Sequence, residues 1–248
     1  MLTRSIAVVL AAFACNATAQ VAPVRALVSN GMKAAMEKLQ PQAERAIGHP
    51  VTLQFNSTAA LKKKIAAGDD FDVAMITVEA IGDLIKQGRI GGGSRTAMGR
   101  SRLGIGIRTG ATKPDIHTPE ALRRTLLAAK SITFPEDGAS RPNIEQMFGR
   151  LGIAPALQSK VILVQGSGPA TQSVADGKAE MVITLFSEIV PVRGVEILGA
   201  LPGEFQYDVR FEAAISATAK NPEAAKALIA FLTGPEARAV FKASGLDR

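Results

Sequence analysis

The chain has 248 residues, with 29 Lys and Arg against 22 Asp and Glu, a formal net charge of +7. It has no Trp, and aromatic residues make up 4%, so it lacks the stacking platforms that single-stranded nucleic acid requires. Its one Cys, Cys15, excludes a disulfide framework and zinc–cysteine sites. The basic residues are scattered apart from Lys62–Lys63–Lys64, which argues against a nucleic-acid partner. The excess fits either an anionic solute or a generic basic surface.

The N-terminus reads as a secretory signal over residues 1–19. Arg4 supplies the positive end, Ile6 to Ala14 is a short apolar run, and Ala17-Thr18-Ala19 is a small-x-small cleavage site before Gln20. The run is shorter than the roughly 20 residues that span a bilayer. A rival reading makes Cys15 a lipoprotein cysteine, although Phe13 puts bulk where small residues are expected. Cleavage would leave a periplasmic chain of roughly 229 residues without a thiol, long enough to be held by its core alone.

Strands and helices then alternate. Val24–Val28 reads as a strand, and Met32, Ala35, Met36, Leu39, Ala43, Ala46 and Ile47 fall on one helical face that stops at Gly48. Pro41 lies inside that pattern and predicts a kink or break. Strand Val51–Phe55, helix Ser57–Ala67, strand Phe71–Ile76 and helix Val78–Gln87 follow. This order implies a parallel sheet covered on both faces. Leu103–Ile107 is a strand leaving the first unit, and Thr118-Pro119 opens a helix to Ala129. Strands at Ser131–Phe134, Val161–Val164, Met181–Thr184 and Val195–Leu198 follow, with helices near Asn143–Leu151 and Pro169–Asp176. Tyr207–Ser216 returns the chain, and helices begin at Asn221-Pro222 and Gly234-Pro235.

In open parallel sheets a ligand sits beyond the carboxyl ends of the strands. Those positions hold Ser29-Asn30-Gly31, Asn56-Ser57-Thr58, Pro135 to Arg141 with Ala139 and Ser140, and Gln165 to Pro169 with Ser167 and Gly168. Helix N-termini there present free N–H groups and a favourable potential for an anion, and the hydroxyls add donors. Each junction alone is equally a helix cap or turn. Arg141 can pair with a carboxylate or lie solvated at the surface. Gly91-Gly92-Gly93-Ser94 lacks the Lys of a phosphate loop, and Gly166-x-Gly168 lacks the rest of a dinucleotide fingerprint. His49 and His117 have no metal-ligand neighbours, no G-x-S-x-G elbow exists, and Asp69-Asp70 and Glu136-Asp137 read as turn residues. The expectation is therefore a binding protein without catalytic residues, cofactor or metal.

Several segments together resemble the molybdate-binding branch of the type II periplasmic solute-binding proteins. They are Ser29 with its following helix, Phe55 to Leu61, Phe71 to Ile76, Ala175 to Glu180, Lys220 to Ala225 and Phe231 to Ala237. The resemblance implies an α/β fold of two lobes, each a mainly parallel sheet flanked by helices, joined by two crossover strands. The expected lobes are residues 20–102 with 208–248, and residues 103–207. It implies ligand contacts at Ser29 and Ser57, near Ala139-Ser140 and near Ser167-Gly168. It implies delivery of a small anion to the membrane permease of an ABC importer. It also implies a tyrosine just after Thr184, where this chain has Leu185. That departure removes a hydroxyl donor, and Asn30 offers an amide that both donates and accepts. The favoured solute is an organic carboxylate, with molybdate, tungstate or sulfate as the alternative. A periplasmic sensor is a further alternative. A monomer is the simplest state for a clamp that closes.

Overall fold

The computed structural model describes residues 21–247. The signal-peptide and Cys15 readings fall outside them. The elements are β1 (Val24–Ser29), α1 (Lys33–Ile47), β2 (Val51–Asn56), α2 (Thr58–Ala67), β3 (Val73–Thr77), α3 (Val78–Lys86) and β4 (Thr96–Arg108). Then come α4 (Pro119–Ala128), β5 (Ile132–Pro135), α5 (Arg141–Arg150), α6 (Ala154–Leu157), β6 (Val161–Val164), α7 (Ser167–Ala175), β7 (Met181–Leu185) and α8 (Phe186–Ile189). The chain ends with β8 (Val195–Ala200), β9 (Asp208–Ile215), α9 (Pro222–Thr233) and α10 (Pro235–Ala243).

The strands form one curled sheet of order β2-β1-β3-β9-β4-β7-β5-β6, with β8 also paired to β4. Each half keeps three parallel strands, β2-β1-β3 and β7-β5-β6. Antiparallel β9, β4 and β8 complete the two halves. Residues 96–102 of β4 pair with β9, and residues 103–108 pair with β7 and β8.

Side-chain alternation builds layers on both faces. Val24, Ala26 and Val28 of β1, with Val73 and Met75 of β3, join Met32, Met36, Leu39 and Leu228 in one core cluster. Leu27, Ala74 and Ile76 point the other way, against Leu61 and Ile65 of α2 and Ile81 and Leu84 of α3. In the second half, Ile183 faces the first cluster while Val182 packs with Ala170, Val174 and Ile189. The period of two along each strand explains this division.

Two expectations are corrected. α1 runs through Pro41 without a break. Pro41 and Glu37, whose carbonyl loses its helical partner, are both on the exposed side, so water can satisfy that carbonyl. β4 begins seven residues before the expected Leu103. A register shift between Ala97 and Gly99 interrupts the alternation, leaving Met98 and Ser101 buried three positions apart. The short α6 and α8 were also unanticipated.

A buried carboxylate ties the first half together. Asp72 is 2% exposed. It accepts hydrogen bonds from Arg25 N at 2.8 Å, Lys220 N at 2.8 Å and Asn221 N at 3.0 Å. It thus joins β1, the approach to β3 and the start of α9. Asp72→Ala would strand three amides, and a loss of about 3 kcal/mol is expected in urea denaturation, with Asp72→Asn costing less because it keeps one acceptor.

Candidate functional site

The carboxyl ends of β1, β2, β5 and β7 and the start of α7 converge on a cleft between the two halves of the sheet. Its inner chamber is lined by Ser29, Asn30, Ser57, Thr58, Pro135, Asp137, Gly138, Ala139, Ser140, Ser167, Leu185, Glu188 and Phe211. Five of these are buried hydroxyl residues: Ser29, Ser57, Thr58, Ser140 and Ser167 are 2–9% exposed. An outer chamber continues from it, lined by Asn30, Lys33, Ala34, Glu37, Gly166, Ser167, Gly168, Pro169, Ser187, Glu188, Pro191 and Val192.

Ser29 and Ser57 keep protons to give, while Thr58 and Ser167 direct theirs to Ser29 and Glu188. Ser57 caps α2 by accepting from Ala60 N at 3.2 Å. Ser29 Oγ accepts from Thr58 Oγ1 at 3.3 Å. Each therefore retains its own O–H as a donor. Ser140 stands before α5 without a side-chain cap bond. The first turns of α2, α5 and α7 add backbone N–H groups and positive potential. Gly166, with φ of +80°, makes the sharp entry into α7, and its N–H donates to Asp137 Oδ1 at 3.0 Å. That bond fixes the loop after β5 to the loop after β6.

Leu185 is the apolar wall. It is 3% exposed at the end of β7 and faces Phe211 of β9 across Gly31. A Cβ at Gly31 would lie 2.6 Å from Phe211 Cζ and 3.3 Å from Leu185 Cδ1. Glycine is needed here because side chains from both halves meet over the backbone that follows Ser29.

Glu188 is the unexpected group. It caps the short α8: its carboxylate accepts from the backbone N–H of Leu185, as well as from the hydroxyls of Thr184 and Ser167. Burial pushes its pKa above the ordinary 4.5; these bonds oppose the rise, and the Asp137 charge adds to it. α8 is seated firmly despite its length. Ser187 N donates to Ser101 Oγ at 3.0 Å, and Ser101 Oγ donates to the Gly245 carbonyl at 2.9 Å. The Phe186 ring lies where a Cβ on Gly104 would be, at 2.3 Å.

The structure brings together Ser29, Asn30, Ser57, Thr58, Ala139, Ser140, Ser167 and Leu185 in the inner chamber, and Gly168 in the outer. Gly31 and Thr184 support the wall from behind. Arg141 is placed elsewhere. Its Nε donates to Glu145 at 2.8 Å and its Nη1 to the Glu136 carbonyl at 2.9 Å, so it stands outside both linings. Helical i,i+4 spacing, invisible to a reading of junctions alone, explains that commitment. Lys33 and Glu188 line the cleft without having been anticipated, and Asp137, read as a turn residue of the junction after β5, lines it too. Lys33 and Glu188 each lie one turn past a strand-to-helix junction, which is the signal that could have found them. His117 is 91% exposed and hydrogen-bonded to Asp115. Among the described residues, no group of three or more His, Cys, Asp or Glu could hold a metal ion.

The family model for bacterial extracellular solute-binding proteins matches residues 24–247. The chain belongs to this family. It is 26% identical over 245 residues to the aconitate isomerase of Pseudomonas sp, covering 97% of this chain and 93% of that protein. It is 27% identical over 234 residues to the molybdate-binding protein of Azotobacter vinelandii, covering 92% and 90%. The solved structure of the Azotobacter vinelandii periplasmic molybdate-binding protein superposes with a TM-score of 0.76 at 20% identity, over 91% of this chain and 99% of that one.

Because burial raises the Glu188 pKa, the folded protein holds a proton there more tightly than the unfolded chain does. The contribution of Glu188 to stability is therefore full below its ordinary pKa of 4.5 and is lost as pH rises through the raised value. Glu188→Gln removes the titration. Thermal unfolding from about pH 4 to about pH 8 should show the variant gaining on the parent protein as pH rises.

Proposed function

We propose that this protein captures a small organic carboxylate in the periplasm and presents it to the membrane permease of an ABC importer. Capture is by hinge closure of two lobes, residues 20–102 with 208–248 against residues 103–207, with no chemical change to the solute. The observation that carries this reading is the convergence of buried hydroxyls from both halves on one chamber: Ser29, Ser57 and Thr58 from the first, Ser140 and Ser167 from the second. Neutral donors and helix N-termini can hold an anion without a buried countercharge. The preference for carboxylate over molybdate or sulfate rests on Leu185, which gives the anion an apolar wall in place of a donor, and on Glu188, which adds a carboxyl group to the chamber. A secretory leader at residues 1–19 and action as a monomer complete the proposal.

A thermal-shift panel tests it. Molybdate, tungstate, sulfate and phosphate are compared with mono-, di- and tricarboxylates. A ligand at about 100 times its Kd adds about 2.7 kcal/mol, a shift of several degrees at this size. The expected result is a shift with a carboxylate, reduced by Ser57→Ala and by Ser140→Ala. A shift with inorganic oxyanions alone refutes the carboxylate reading.

A second reading has specific support. Glu188 is a buried carboxyl group lining the cleft, and burial raises its pKa and so its strength as a base once ionised; a relative matched over nearly its whole length is an aconitate isomerase. Moving a double bond along a polycarboxylate needs a group that takes a proton from one carbon and returns one to another, with no net change in protons. Incubation with cis-aconitate, followed by NMR, distinguishes the two. Trans-aconitate formed by the parent protein and lost in Glu188→Gln supports catalysis, whereas unchanged aconitate with a thermal shift supports capture alone.

A further inference from the structure

The two chambers differ greatly in size. The inner one has about 20 Å³ of free space, and the outer about 340 Å³. A volume like the inner one is on the order of a single water-sized group. It admits one end of a solute rather than all of one. Asn30, Ser167 and Glu188 belong to both linings, so the chambers are continuous through these three residues.

The outer chamber has features of a built subsite. Lys33 of α1 supplies a cation. Ser187, 3% exposed, also lines it, and its buried Oγ has no hydrogen-bond partner among the described residues. The Oγ itself is closed off from the chamber as it stands, so it can serve a ligand oxygen by turning about the Cα–Cβ bond, which would relieve the cost of leaving it unpaired. Ala34, Pro169, Pro191 and Val192 give apolar walls that suit a carbon skeleton.

We infer that the solute is a polycarboxylate that occupies both chambers at once, with one carboxylate among the inner hydroxyls and a second beside Lys33 and Ser187. This rests on the reading of the solute as an organic carboxylate and adds its valence and orientation. Lys33 is the residue that selects for the second charge. Its Nζ is 3.8 Å from Glu37 and 5.6 Å from the Phe55 ring centroid, with about half of the side chain exposed, so it can turn from one partner to another. Glu37 competes with the solute for the same ammonium group.

Isothermal titration on the full chain with propionate, succinate, glutarate, tricarballylate and molybdate tests this. At least one di- or tricarboxylate should bind about tenfold or more tighter than propionate. Lys33→Gln should weaken that acid about three- to tenfold and leave propionate unchanged, while Glu37→Gln should strengthen it several-fold. Both positions are on the exposed side of α1, and circular dichroism checks that the variants fold. Propionate binding as tightly as the longer acids, or polycarboxylate affinity indifferent to Lys33→Gln, overturns the two-chamber inference and leaves carboxylate capture standing. Binding of molybdate alone, or of no carboxylate, overturns both.

Discussion

One strand, β4, is hydrogen-bonded into both halves of the sheet, and the cleft exists because of it. Its first residues pair with β9 and its last with β7 and β8. A sheet that must serve two cores with one strand has to curl, and register shifts near Gly99 and Gly106 mark where β4 departs from regular pairing. The curl turns the carboxyl ends of the two parallel trios toward each other. Junctions that would be separate helix caps in an isolated sheet then face a common space.

The electrostatics of that space follow from its construction. Among the described residues, the inner chamber is lined by hydroxyls and helix starts with no cationic side chain; its ionisable residues are Asp137 and Glu188. A fixed cation there would be costly to bury without a partner in the empty protein. Hydroxyls and amides carry no such cost, since they can turn to one another, as Thr58 does to Ser29. Glu188 fits the same economy when it holds a proton, because it then becomes one more neutral group.

Most of the architecture was legible because its signals are local. Gly48 and Gly68 end α1 and α2 with positive φ, Thr118 caps α4, and Val73 to Ile76 is apolar on both faces because helices cover both. The hydroxyl junctions were legible for the same reason, since strand ends can be located from the pattern. What stayed hidden depends on distant residues. The start of β4 reads as polar because its partner β9 is more than 100 residues away and a register shift breaks its period. Glu188 was not singled out because α8 has too few residues for a periodic stripe and is held by Ser101 and Gly245 instead. Arg141 looked available because its bond to Glu145 is visible only once α5 is built.

The position of β9 has a consequence for how the chain assembles. It comes from the C-terminal part of the sequence yet lies between β3 and β4, in the middle of the sheet. The strands β5, β6, β7 and β8 all lie between β4 and β9 in sequence, so the second half can form its pairs while the first is still open. As the chain emerges from its N-terminus, β1 to β3 must wait, with the β3 edge unpaired, until Asp208–Ile215 arrives. Insertion of this late strand is a pairing across more than 130 residues of sequence, and until it is made the β3 edge, Val73 to Thr77, offers unpaired backbone groups to any other strand.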